Sequence, residues 1–168
     1  MLHQRDQFSE TGDLPPIDLV ETVAESHEWD FDRVGDDQIA MVVEGQWRTY
    51  SVTLAWSEID ETLRLICCYE MEPPAESLGG LYELLNLVND QCWSGGFTHW
   101  RDQNLMVYRY GLALAGGACA QVEQINHLVA EAVLAGERFY PAFQLVCWGG
   151  RSAPEAMQVA IAEAYGRA

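Results

Sequence analysis

Lysine is absent from this 168-residue chain: all nine basic residues are arginine, set against 26 aspartate and glutamate residues for a formal net charge of −17. Without lysine there is no Schiff-base chemistry, no lysine general base and no phosphate loop whose Lys reaches the terminal phosphates. The arginines stand singly from Arg5 to Arg167, so no clustered basic surface is available to neutralise nucleic-acid phosphates, and an anionic membrane would repel the chain. No run reaches the ~18 apolar residues of a membrane span. Met1 to Phe8 carry charge where a signal peptide needs an apolar stretch. The five cysteines, Cys67, Cys68, Cys92, Cys119 and Cys147, form no C-x-x-C pair and fall mostly in apolar segments. That is the usage of buried, reduced thiols in a cytoplasmic protein.

Hydrophobic residues make up 49% of the chain and aromatics 11%, too many for a disordered polymer, so the acidic residues must coat a folded body. At about 150 residues per domain the length fits one domain. Met1–Pro15 is polar and without apolar period and reads as a flexible leader, leaving 16–168 as a single domain. Ile17, Val20, Val23 and Ala24 recur at helical steps among acidic residues and predict a first amphipathic helix ending near Glu28. Turn signals at Gly35–Asp37 and Glu44–Gln46 precede strands expected at Ile39–Val43 and Trp47–Trp56, and a third strand follows at Thr62–Met71. Short connections make these an antiparallel meander. Along the second, Tyr50, Val52, Leu54 and Trp56 share a buried face, while Thr49, Ser51 and Thr53 face water.

After Pro73 and Pro74 the period turns helical through Leu78, Leu81, Leu84, Leu85, Val88 and Cys92, with Gly95 and Gly96 expected to close the helix. Strands at Phe97–Arg101 and Leu105–Leu114 follow. A long apolar stripe then runs from Val122 to Cys147, with a kink expected at Pro141 because its ring clashes with the carbonyl of Glu137. Ser152 and Glu155 have the spacing of a capping box that opens a last helix, with Met157, Ile161, Ala164 and Tyr165 on one face. The predicted order is α-β-β-β-α-β-β-α-α, an α+β domain in which helices pack on an antiparallel sheet.

None of the chemical constellations carries a reaction. Glu123, His127 and Glu131 have ligand-like spacing but lie opposite the apolar stripe of their helix, on a solvated face. Cys67 and Cys68 are adjacent in a strand and point to opposite faces. The histidines His3, His27, His99 and His127 sit in no nucleophile context. Asp36 with Asp37 and Asp60 with Glu61 are ordinary turn chemistry. No catalytic residue, metal ligand or cofactor is expected. Among the six tryptophans, Trp56 and Trp148 read as core. Trp47 shares the parity of Thr49, Ser51 and Thr53, and Trp93 lies past a helix end; exposed aromatics cluster at protein interfaces.

Three segments together carry a family likeness: WDFDRVGDDQIA at 29–40, LYELLNLVNDQCW at 81–93 and ERFYPAFQLVCWGG at 137–150, the last followed by Ser152, Pro154, Glu155 and Ala156. Through them the chain, over nearly all of Pro16–Ala164, resembles the YbjN family of bacterial proteins. The resemblance implies a fold similar to type III secretion chaperones, homodimers, and a role as a sensory transduction regulator without defined catalytic residues. The function expected is a non-enzymatic cytoplasmic regulator or chaperone-like adaptor. Its protein partner would lie along the sheet face or an edge strand, contacting Trp47, Arg48, Thr49, Ser51, Thr53 and Arg64. The alternative is a small-molecule sensor with its pocket between the long helix and the sheet, near Tyr140, Phe143 and Trp148.

Overall fold

The computed structural model describes residues 14–166; the expected leader falls outside it up to residue 13. Helix α1 spans Pro16–Ser26, with Pro15 and Pro16 fixing its start. Four strands follow in antiparallel succession: β1 at Asp30–Gly35, β2 at Gln38–Glu44, β3 at Thr49–Ser57 and β4 at Thr62–Glu70. Helix α2 (Leu78–Asp90) leads to β5 (Gly96–Trp100) and β6 (Leu105–Ala113), and the chain ends in α3 (Val122–Cys147) and α4 (Ala153–Gly166). The six strands stand in the order β1-β2-β3-β4-β6-β5, so β6 pairs with β4 and β5 becomes the second edge. The fold is α+β with an antiparallel sheet and four helices.

Strand β1 is the element that periodicity misses. Its residues are exposed except Phe31, so no apolar alternation marks it. It is held by pairing with β2 and by Arg33, which bridges Asp18 at 2.8 Å and Glu21 at 2.6 Å on α1 and donates to the carbonyls of Gly35 and Asp36 at the turn. The true order is therefore α-β-β-β-β-α-β-β-α-α. Two boundaries also move. Helix α2 ends at Asp90 with Gln91 as its C-cap in a right-handed conformation, and Gly96 opens β5 instead of capping the helix. Gly95 is needed there for another reason: a Cβ would lie 2.5 Å from the Arg109 carbonyl oxygen. Strand β3 begins only at Thr49, which leaves Trp47 in the preceding turn.

One sheet face carries Tyr50, Val52, Leu54, Leu63, Leu65, Cys67, Met106 and Tyr108, all buried, and packs against α1, α2 and α3. Ile17, Val20 and Val23 of α1, Leu81, Leu84 and Val88 of α2, and Ile125, Phe139 and Phe143 of α3 complete this core. Its centre is aromatic: Phe97 meets the rings of Tyr108, Phe139 and Phe143 edge-on at 5.1, 6.0 and 5.4 Å. Helix α4 lies on α2 and α3 through Ala153, Ala156, Met157 and Ala160. Ile161 is half-buried and Ala164 exposed, and the side chain of Tyr165 is outside the described set. The predicted capping box is present, with Glu155 Oε2 accepting from Ser152 N at 3.1 Å and Ser152 Oγ from Glu155 N at 3.4 Å. Helix α3 runs unbroken across Pro141, so the ring removes one hydrogen bond without ending the helix.

Cys67 and Cys147 are buried and Cys68 half-buried on the other sheet face, but Cys119 is exposed, against the expectation for all five; all are free thiols. Trp148 is 54% exposed, outside the core where it was expected, and Trp93 is 98% exposed.

Candidate partner-binding site

The turn between β2 and β3 is built around one carboxylate. Gly45 N donates to Arg48 O at 2.8 Å, closing the turn. Trp47 N donates to both Glu137 oxygens, at 3.3 and 3.2 Å, and the Tyr50 hydroxyl donates to Glu137 Oε1 at 3.0 Å. The approach needs glycine at two points, because a Cβ on Gly45 would overlap Glu137 and the Tyr50 ring, and one on Gly136 would sit 2.8 Å from Tyr50 Cε1. Burial, with the Glu137 carboxylate beside it, pushes the Tyr50 hydroxyl above its ordinary range, so it remains a donor. The Arg48 guanidinium stacks over Tyr69 and Tyr140, 4.3 and 4.6 Å from their centroids.

This anchorage carries Trp47 to the helical side of the molecule, away from the polar sheet face to which strand parity assigned it. There Trp47, 53% exposed, lines a depression of about 500 Å³ with Val133, Leu134, Ala160 and Glu163. A second depression of about 400 Å³, with apolar walls, lies on the far side of Leu134, between Trp29, Val43, Val129 and Val133. Leu134 is 63% exposed and, with Val133, lines both. The Trp29 ring is fixed by stacking on His27 at 4.4 Å, and His27 Nε2 hydrogen-bonds Asn126 Oδ1 at 2.8 Å. Two tryptophans thus flank an apolar furrow on α3. Sequence parity could not find it, because Leu134 reads as one more member of an amphipathic helix.

The remaining expected residues separate into other places. Thr49, Ser51, Thr53 and Arg64 stay on the open sheet face, with Thr49, Ser51 and Arg64 exposed and Thr53 half-buried. Arg64 pairs with Asp60 at 2.6 Å. Of the alternative pocket, Phe143 has no exposed surface, Tyr140 is held edge-on to Tyr69 at 5.6 Å beneath Arg48, and Trp148 lines a separate depression with Glu70 and Leu105. These three therefore do not form one open pocket. Among the described residues no group of three or more His, Cys, Asp or Glu side chains could hold a metal ion. None of the described helices is long and apolar enough to cross a membrane.

The YbjN family model, described as "Putative bacterial sensory transduction regulator", matches residues 16–145. This chain belongs to the YbjN family. The fold of this chain is similar to that of E. coli YbjN, a putative transcription regulator, in its crystal structure, with a TM-score of 0.53, 12% sequence identity and coverage of 72% of this chain and 85% of that one. It also resembles a chain in the HopA1-SchA chaperone-effector complex, with a TM-score of 0.49, 17% identity and coverage of 73% and 89%. No curated protein matches this chain in sequence.

Proposed function

We propose that this YbjN-family protein is a non-enzymatic cytoplasmic adaptor that binds a protein partner in the furrow along α3. The observation that supports this most directly is the exposed pair Trp47 and Leu134, large apolar side chains beside two adjoining depressions. Such anchors at the centre of an interface supply most of its binding energy. Both sheet edges discourage addition of a partner strand. On β1, Asp30 and Asp32 are exposed, and on the five-residue β5 the Asn89 carboxamide occupies the N–H and C=O of Phe97 at 2.7 and 3.0 Å.

The partner segment that fits is an amphipathic helix whose apolar residues enter the two depressions and whose flanks are basic. The furrow is rimmed by Glu44, Glu137 and Glu163 against Arg138 alone, on a chain of net charge −17. The adaptor's working unit in this reading is a homodimer.

The test is capture of partners from the native bacterium with tagged wild-type protein and with Leu134→Glu, followed by calorimetry on the isolated pair. A partner lost in Leu134→Glu, eluted at moderate salt, and weakened by about 1–3 kcal/mol in Trp47→Ala without loss of fold bears the reading out. A partner that both variants retain removes the furrow from the function.

A further inference from the structure

The sheet face away from the helices holds a depression of about 850 Å³ over β4, β6 and β5, with Asp60, Arg64, Thr98, Trp100, Arg109 and Gly111 in its lining. Strand register builds it. Arg64 on β4 stands opposite Gly111 on β6, and Arg109 on β6 stands opposite Gly96 on β5. Each arginine is therefore faced across the ladder by a residue with no side chain to cover it. Strand β6 pairs with β4 in unbroken register through Gly111, and a Cβ there would meet only Thr62 Cγ2 within 4 Å, at 3.2 Å. A glycine inside a regular strand weakens it, and close approach of a ligand is one use that offsets the loss.

The polar side chains left free in this depression are donors. Asp60 accepts from Arg64 Nη2 at 2.6 Å, a contact that fixes the guanidinium and uses one of its five N–H groups. Arg109 is exposed, and among the described residues neither it, nor the Thr98 hydroxyl, nor the Trp100 indole N–H has a partner. Arg64 and Arg109 are diagonal neighbours on β4 and β6, with Cβ atoms about 7–8 Å apart, so their long side chains can converge on one group. Other carboxylates on this face stand back. Glu70 is four residues along β4 from Ile66, the residue opposite Arg109, or about 13 Å away. Asp30 and Asp32 on β1 are four strands from β6, at least about 19 Å. The side chains of Glu58 and Glu61 in the β3-β4 turn do not line the depression.

We propose that this depression binds a small organic oxyanion, with its carboxylate or phosphate group on Arg109 and Arg64 and a planar ring against Trp100. An oxyanion supplies acceptors where the free side chains supply donors, and guanidinium forks match both kinds in bidentate geometry. Trp100 is half-buried and lies four residues along β5 from Gly96, about 13 Å from the level of Arg109. A bare inorganic ion would leave that end empty, whereas a ring carried on the anion reaches it and stacks. The volume is in the range of small-ligand sites. The opposing effect is repulsion from a chain of net charge −17, which is screened beyond about 8 Å at physiological ionic strength. The site is on the opposite side of the sheet from the α3 furrow and does not depend on it.

The experiment is proton-nitrogen correlation NMR of the full chain at about 0.15 M salt, titrated to about 5 mM with four probes: adenosine 5′-monophosphate, indole-3-propionate, adenosine and inorganic phosphate. At least one of the two ring-bearing anions should shift the amides of Thr98, Arg109 and Gly111 and the Trp100 indole N–H, with Trp47 and Leu134 unmoved. Adenosine and inorganic phosphate should bind at least tenfold more weakly. The tighter of the two ring-bearing anions identifies the group as phosphate or carboxylate. Arg109→Gln should raise the dissociation constant about tenfold or more, as expected for a lost charge-assisted bond. Gly111→Val fills the space opposite Arg64 without changing charge and should do the same; if its spectrum shows a lost fold, Arg109→Gln alone decides. No shift at these positions with either ring-bearing anion overturns the site. A dissociation constant unchanged in Arg109→Gln overturns it equally, and inorganic phosphate binding as tightly as the nucleotide, with the Trp100 indole unmoved, overturns the organic ligand.

Discussion

The Tyr50 hydroxyl, near the start of β3, donates to Glu137 Oε1 at 3.0 Å across 87 positions of sequence. The same carboxylate receives the Trp47 amide, so one side chain on α3 holds both the strand and the turn that precedes it. This ties the sheet to the helix beside the furrow and sets the height at which the Trp47 ring stands over α3. The furrow is in this sense an outgrowth of a buried tyrosine.

Glu137→Ala should therefore lower stability by about 1–3 kcal/mol, since it strands the hydroxyl of a buried tyrosine and a backbone amide. Glu137→Gln keeps an acceptor in place and should lose less than half as much. Urea unfolding at pH 7 with unchanged m-values measures both. Equal losses in the two variants would mean that the negative charge, and not the hydrogen-bond acceptor, is what the site uses.

Two helical glycines should respond to alanine with opposite signs. At Gly136 a Cβ would meet the Tyr50 ring at 2.8 Å, and that ring is tethered by Glu137; overpacking of about 1–3 kcal/mol outweighs the gain in helix propensity of about 1 kcal/mol. At Gly79 in α2 a Cβ meets nothing within 4 Å, so Gly79→Ala should stabilise by up to about 1 kcal/mol. Thermal unfolding of the two variants decides the matter. A Gly136→Ala protein as stable as wild type would show that Tyr50 moves freely.

What the sequence reveals and what it hides follow from how each residue is used. Residues such as Val52, Leu54, Leu65 and Leu84 announce their elements because burial on one side imposes a period of two or of 3.6. Strand β1 gives no such signal: it is an edge strand with exposed Asp30 and Asp32, placed by a turn and by the Arg33 pairs to α1. Parity assigns Trp47 to the wrong face because it holds only inside a strand, and the strand starts two residues later. The furrow joins Trp29, Leu134 and Trp47 from three distant segments, and a single sequence carries no record of that neighbourhood. The family likeness succeeded where chemistry was silent: two of its three segments carry packing residues of the core, such as Leu84, Phe139 and Phe143, and the third spans the exposed β1 and its turn.

Asn89 provides a test at the other edge of the sheet. Its carboxamide mimics a neighbouring strand, accepting from Phe97 N at 2.7 Å and donating to Phe97 O at 3.0 Å. Asn89→Leu leaves both backbone groups unpaired, at a cost of about 1–3 kcal/mol, and opens β5 to pairing with other chains. The expected readouts are faster hydrogen exchange at the Phe97 amide and concentration-dependent aggregation on warming. Unchanged protection at Phe97 would show that β6 alone secures this edge.

Alkaline pH should unfold the protein through acids that burial keeps protonated. Burial pushes the Cys67 thiol from 9.0 up to about 12 and that of Cys147 up to about 11, and it raises the hydroxyls of Tyr50, Tyr69 and Tyr108 above 10.0. A raised value in the folded state means that the folded chain holds protons which the unfolded chain releases. The stabilisation is complete below the unfolded values, near 9.0 for the thiols and 10.0 for the phenols, and is lost as pH climbs toward the folded ones. Each such group contributes a slope of about 1.4 kcal/mol per pH unit in that window. Urea midpoints should hold steady from pH 7 to 8.5 and fall steeply from pH 9 to 11. Cys67→Ala, although less stable at neutral pH, should fall less steeply by about one group's share; curves that stay parallel would show that the Cys67 thiol releases its proton within the folded protein.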